Sequence, residues 1–175
     1  MINSIHLSRY STPAGMEDLA LASDGEALTG VHFICQPNFT SIFPIDNCRE
    51  APVLQETRAW LDEYFAGRQP AFFPKYLLPR NTTPFRQAVL EVLKTIPYGK
   101  TATYGEIART LAGQFGKATL SAQAVGQAVG WNPLCILIPC HRVIGANGNM
   151  IGYGGGLQNK IALLRHEGSI PVTVK

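Results

Sequence analysis

The strongest chemical potential in the chain lies in the string Cys140-His141-Arg142. A cysteine attacks as thiolate, and an ordinary thiol pKa of ~8.5 leaves only a few per cent ionised near neutrality. A neighbouring imidazole or guanidinium raises that fraction. On an extended strand adjacent side chains point to opposite faces, so Cys140 and His141 cooperate only where the chain turns or a water bridges them. His141 also needs an orienting partner, and Glu167 is the only acidic residue downstream. The apolar run Ile136-Leu137-Ile138 reads as a short buried strand that delivers the string to its end. Adjacent Cys and His residues are common by chance, so this pair by itself does not establish catalysis.

The other chemically suggestive residues read more plainly. No C-x-x-C pair occurs among Cys35, Cys48, Cys135 and Cys140. His32, Cys35 and Cys48 share one stretch, but a zinc site needs a fourth ligand that is not evident. Cys35, Cys48 and Cys135 therefore read as small buried hydrophobes, and no metal is expected. The run Gly152-Tyr153-Gly154-Gly155-Gly156 departs from G-x-G-x-x-G and has no acidic residue ~20 positions on, which argues against a dinucleotide site. No cofactor is implied.

These residues must be held by elements whose signals run along the whole chain. Residues 2–10, 19–21 and 28–34 read as strands, with Ser23-Asp24-Gly25 as a hairpin turn. Pro52 opens a helix with apolar positions at Val53, Leu54, Trp60, Leu61, Tyr64 and Phe65 and a stop at Gly67. Four prolines between residues 69 and 84 mark a connection between two domains, 1–80 and 81–175. The second domain reads as short helices. One starts at Thr83-Pro84 and stops at Pro97-Tyr98-Gly99. The next opens on a Thr103/Glu106 capping box and ends at Gly113. A third, capped by Ser121 and closed by Gly130, is built of small residues. The last two have the outline of a helix-turn-helix. Ala146-Asn147-Gly148-Asn149 predicts a turn. In the terminal helix, Leu157, Ile161 and Leu164 are expected inward, and Lys160 and Arg165 on a solvated face.

Composition narrows the class. Of 175 residues, 46% are hydrophobic, too many for a disordered chain. No apolar run approaches the ~20 residues of a membrane span, and MINSIHLSRY lacks the pattern of a secretory signal. A soluble cytoplasmic protein is expected, or a nuclear one in a eukaryote. The net charge of +3 is uneven: residues 1–80 hold six Lys/Arg against nine Asp/Glu, and residues 81–175 hold nine against three. An acidic half joined to a basic half suggests a polyanionic partner for the second.

A longer string is more specific than the Cys-His pair. Asn132-Pro133, Ile138-Pro139-Cys140-His141-Arg142-Val143-Ile144-Gly145, Gly152-Tyr153 and His166-Glu167-Gly168 closely resemble the O6-alkylguanine-DNA alkyltransferases. The likeness runs from near Pro84 to Gly168 and includes Ile96-Pro97-Tyr98-Gly99 and Thr103-Tyr104-Gly105. It implies an α/β, ribonuclease H-like first domain and a mainly α, winged-helix-like second domain. It also implies a monomeric repair protein acting once on duplex DNA. Cys140 would take the alkyl group from O6 of guanine, with O4-alkylthymine a further candidate substrate. A water would link Cys140 to His141, Glu167 would hold the imidazole, Asn132 would order the turn, and Tyr104 would act near the departing oxygen.

The resemblance further implies binding from the minor groove through the third helix, with Ser121, Ala122, Gln123 and Gly126 on DNA. Ala102 and Thr103 would meet phosphates, and Arg142 would also contact DNA. Val143, Tyr153, Gly154 and Gly155 would line the pocket for the extruded base. Two departures stand out. Gln123 occupies the place of an arginine that wedges into the base stack in most members, which implies weaker DNA binding. Gly154 stands where some members carry a hydroxyl residue, which implies room for larger alkyl groups. The alternatives are a lesion binder without transfer, which the presence of Cys140 opposes, and a cysteine hydrolase, for which no oxyanion hole is evident.

Overall fold

The structure, a computed structural model, describes residues 5–34 and 50–170. Cys35 and Cys48 lie outside them. The chain divides into two compact units, Met1–Arg80 with Pro133–Leu137, and Asn81–Asn132 with Ile138–Lys175. No helix of the described residues is long and apolar enough to cross a membrane.

In the first unit, β1 (His6–Tyr10), β2 (Leu19–Ser23) and β3 (Leu28–Phe33) form an antiparallel sheet in that order. The Ser23-Asp24-Gly25 turn closes the second hairpin, with Asp24 Oδ1 accepting the N–H groups of Glu26 and Ala27. Register places Tyr10 opposite Leu19 and Leu21 opposite Val31. This alternation puts Leu19, Leu21, Val31 and Phe33 on one face. Helix α1 (Pro52–Phe65) buries Val53, Leu54, Thr57, Trp60, Leu61 and Tyr64, as its spacing requires. Asp62 accepts a 2.8 Å hydrogen bond from the Tyr10 hydroxyl and so ties α1 to β1.

The outer edge of β3 is covered twice. Leu28 exchanges backbone bonds with Lys75 and Leu77, and Val31 with Pro133 and Cys135. The proline-containing connection is thus pinned along β3 at residues 75–77 before the chain leaves the unit.

The second unit holds α2 (Pro84–Lys94), α3 (Tyr104–Gln114), α4 (Ala122–Gly130) and α5 (Leu157–His166). Thr83 caps α2, the Thr103/Glu106 box caps α3, and Ser121 caps α4 through the N–H groups of Gln123 and Ala124. Strand β4 (Ala102–Thr103) pairs in parallel with β5 (Val143–Ile144). Asn147 and Gly148 both take positive φ, at 58° and 77°, in the turn expected there.

Four expectations are corrected. Residues 136–138 are buried but form turns, with Ile136 at φ 71° and N–H bonds from Leu137 to Cys135 and from Cys140 to Ile138. A short apolar run reports burial and not backbone conformation. In α5, Lys160 is 0% exposed while Leu157 is exposed. Lys160 lies three residues before Leu163 and four before Leu164, both buried, so helical spacing carries its stem inward. Arg165 is half-buried, short of a fully solvated position.

Candidate active site

The residues after Ile138 form a single 3₁₀ turn, Cys140–Arg142, which resolves the problem of adjacent side chains on an extended strand. Cys140 is 4% exposed. Asn132, buried at the end of α4, donates from Nδ2 to the Ile138 carbonyl at 2.8 Å and to Cys140 Sγ at 3.0 Å. One amide therefore fastens both the backbone entering the turn and the sulfur leaving it. A hydrogen bond to sulfur favours the thiolate.

His141 is 0% exposed, and its Nε2 lies 2.8 Å from Oε1 of Glu167 at the end of α5. Burial pushes the imidazole pKa down, against the opposing pull of Glu167. Glu167 stays ionised. Burial alone would raise its pKa, but hydrogen bonds from His141 and Arg142 hold it well below the usual carboxylate range. An ionised carboxylate can only accept, so Nε2 of the neutral imidazole carries the proton and Nδ1 keeps its lone pair. Nδ1 is buried and has no hydrogen-bond partner among the described residues. Such an atom is a proton acceptor awaiting a donor.

Arg142 is turned toward Glu167. Its Nε reaches both carboxylate oxygens of Glu167, Nη2 reaches Oε1 at 2.9 Å, and Nη1 reaches the Ile96 carbonyl at 2.6 Å. The guanidinium also faces the Tyr98 ring. Each of its three nitrogens donates inside the protein, where the buried carboxylate needs a counter-ion. Arg142 is thus a partner of Glu167 within the protein.

Around the sulfur stand two further groups. Tyr104 opens α3 and donates to the carbonyls of Gly152 at 3.2 Å and Ile151 at 3.4 Å. Its pKa is raised by burial and by the charge of Cys140. Lys160, which sequence reasoning placed in solvent, donates from Nζ to Val143 at 2.5 Å and Ile151 at 3.1 Å. Burial lowers its pKa to about 8, and the charge of Cys140 opposes the fall. Its position in the α5 stripe was the available signal.

Of the remaining residues singled out, Val143 and Gly155 are buried, Tyr153 is half-buried and Gly154 is exposed. Ala122 and Gln123 lie exposed on α4, where Ser121 is occupied with capping. A Cβ at Gly126 would stand 3.7 Å from the Tyr104 ring, so α4 packs its small face on that tyrosine. Ala102 and Thr103 are paired to β5 directly after the nucleophile turn.

Comparisons with known proteins show the family. The family model for the 6-O-methylguanine DNA methyltransferase DNA-binding domain matches residues 84–169. A methylated-DNA--protein-cysteine methyltransferase of Mycobacterium leprae is 41% identical over 93% of this chain and 92% of its own. The crystal structure of the Mycobacterium tuberculosis O6-methylguanine methyltransferase is 39% identical, covers 97% of this chain and 96% of its own, and gives a TM-score of 0.75. A structure of the Mycobacterium tuberculosis protein in complex with DNA gives 0.73 at 38% identity, over 94% and 92% of the two chains. With a relative this similar along nearly its whole length, and with a histidine–glutamate pair behind a buried cysteine, this chain belongs to the methylated-DNA–protein-cysteine methyltransferases.

Proposed function

We propose that Cys140 is the alkyl acceptor in repair of O6-alkylguanine in DNA, and that each molecule acts once. The thiol proton passes through a water to Nδ1 of His141, leaving a thiolate that Asn132 stabilises and an imidazolium that Glu167 stabilises. The sulfur attacks the alkyl carbon, the carbon–O6 bond breaks, and its electron pair stays with the guanine. The Tyr104 hydroxyl donates toward the purine as negative charge develops, and the imidazolium proton restores the balance. A thioether remains on the protein. No cofactor enters this scheme.

The reading rests above all on the run of contacts Asn132–Cys140 and His141–Glu167 around one turn. For DNA, α3 and α4 serve as a helix-turn-helix in a winged-helix-like unit, paired with a ribonuclease H-like first unit. The protein binds as a monomer. The exposed Ala122 and Gln123 of α4 enter the minor groove, and the backbone at Ala102 and Thr103 meets phosphates. The base is extruded toward Val143, Tyr153, Gly154 and Gly155, at a cost of a few kcal/mol. Gly154 leaves space for larger alkyl groups, and O4-alkylthymine is a second substrate.

Intact-mass measurement after incubation with O6-methylguanine duplex tests the proposal. A gain of one methyl group per chain, absent in Cys140→Ala, is expected. Binding without an adduct would instead mark a lesion binder, and repeated turnover of an ester or amide would mark a hydrolase.

A further inference from the structure

We infer that the Ile96-Pro97-Tyr98-Gly99 turn, which follows α2, is a positioning element that holds Glu167 in line with His141. The inference rests on the catalytic reading of His141 and Glu167 given above. Three of its four residues contact the carboxylate, its cation or the backbone that carries them. The Ile96 carbonyl accepts Nη1 of Arg142 at 2.6 Å. The Tyr98 ring lies 5.7 Å from the Arg142 guanidinium, and its hydroxyl donates to the His166 carbonyl at 3.4 Å. The Gly99 N–H donates to Oε2 of Glu167 at 3.2 Å.

Gly99 shows how closely the turn and the carboxylate are fitted. Its φ is +73°, a region that disfavours side chains, and a Cβ there would stand 3.0 Å from the Glu167 carbonyl oxygen. Helix α2 already ends at Lys94 with Thr95 as its C-cap, so its termination does not account for a Gly99 N–H aimed at a carboxylate 68 residues away. With Oε2 held by Gly99 and Arg142, Oε1 remains directed at His141 Nε2.

The consequence is a proton equilibrium. The charged groups acting on His141 are Glu167 and Lys160 at α5 and Arg142 in the nucleophile turn, where Cys140 is its chain neighbour, while Tyr98 faces the Glu167–Arg142 pair. A carboxylate moved away from the ring stabilises the imidazolium less. The thiol then yields its proton less readily, and ionises at higher pH.

The test measures single-turnover benzylation by free O6-benzylguanine across pH, together with affinity for unmodified duplex. The proteins are the unaltered chain, Glu167→Gln, Gly99→Ala and Gly99→Asn. Asparagine tolerates left-handed φ better than alanine, so the asparagine variant isolates the collision from the backbone strain. Both Gly99 variants should react about ten-fold more slowly at neutral pH, with the rising limb of the profile about one unit higher. Duplex affinity should stay within about two-fold, since the turn is assigned no DNA contact. An unchanged rate and limb in folded Gly99→Asn overturns the inference. So does a rate loss without displacement of the limb, or a defect confined to duplex binding. Should neither Gly99 variant fold, Tyr98→Leu must show the same displacement. If Glu167→Gln reacts normally, the catalytic reading itself falls. If it is slow while the Gly99 variants are unaffected, only the role of the turn falls.

Discussion

Asn132 concentrates two tasks in one amide, and its loss separates them from folding at large. Asn132→Ala removes a donor to Sγ and one to the Ile138 carbonyl. The thiol pKa should rise by about one unit, since one unit corresponds to ~1.4 kcal/mol, the worth of a single charge-assisted hydrogen bond. The pH profile of alkylation with a free base would show it as an alkaline displacement. Arg142→Met leaves the Glu167 carboxylate buried beside His141 without its main cation, and breaking a buried pair in this way costs about 3–5 kcal/mol. Urea unfolding should show that loss, with part of it recovered in the double variant with Glu167→Gln. Because the Arg142 side chain is 11% exposed and turned to Glu167 and the Ile96 carbonyl, the salt dependence of duplex binding should be unchanged in the folded variant. Lys160 sets a third pH signature. Its folded pKa of about 8 lies below the unfolded value. The unfolded chain therefore holds more protons as pH rises from 8 toward ~10.4, and stability contributed by this group increases through that window. Lys160→Met should abolish the increase in a stability profile taken at pH 8 to 10.

At the scale of elements, the helices of the second unit depend on their caps. Ser121 is the only side chain capping α4, a helix of nine residues with glycine at 126 and 130. Ser121→Ala should cost about 1 kcal/mol in urea unfolding. Gly126→Ala should have the opposite sign. The added methyl would meet the Tyr104 ring at an ordinary 3.7 Å, while helix propensity gains about 0.5–1 kcal/mol. These signs were legible in the sequence, because a cap, a capping box and an Asn-Gly turn are each written within four residues. The same holds for the apolar face of α1. Residues 136–138 were not legible. Their burial was plain, but their turn depends on an Asn132 side chain that captures the Ile138 carbonyl, and hydropathy does not encode that bond.

At the scale of the molecule, the charge surplus of residues 81–175 belongs to a protein whose family acts on DNA. Binding to undamaged duplex should weaken steeply with salt. Gln123→Arg adds one cation on the exposed face of α4, so it should tighten duplex binding and raise the salt slope by about one, leaving the rate with free O6-benzylguanine unchanged. Equal affinities in a salt titration of the two proteins would remove Gln123 from the interface. The sequence by itself determined the Cys140-His141 pair, the capped helices and the hairpin turns, because each is carried by neighbouring residues and local geometry. Only the tertiary structure decided that the Lys160 ammonium donates to Val143 and Ile151, that Arg142 serves Glu167 across 25 residues and that Gly99 serves it across 68. Those partners meet because packing brings distant segments together, and a buried charge must then find its counter-ion wherever the chain has placed one.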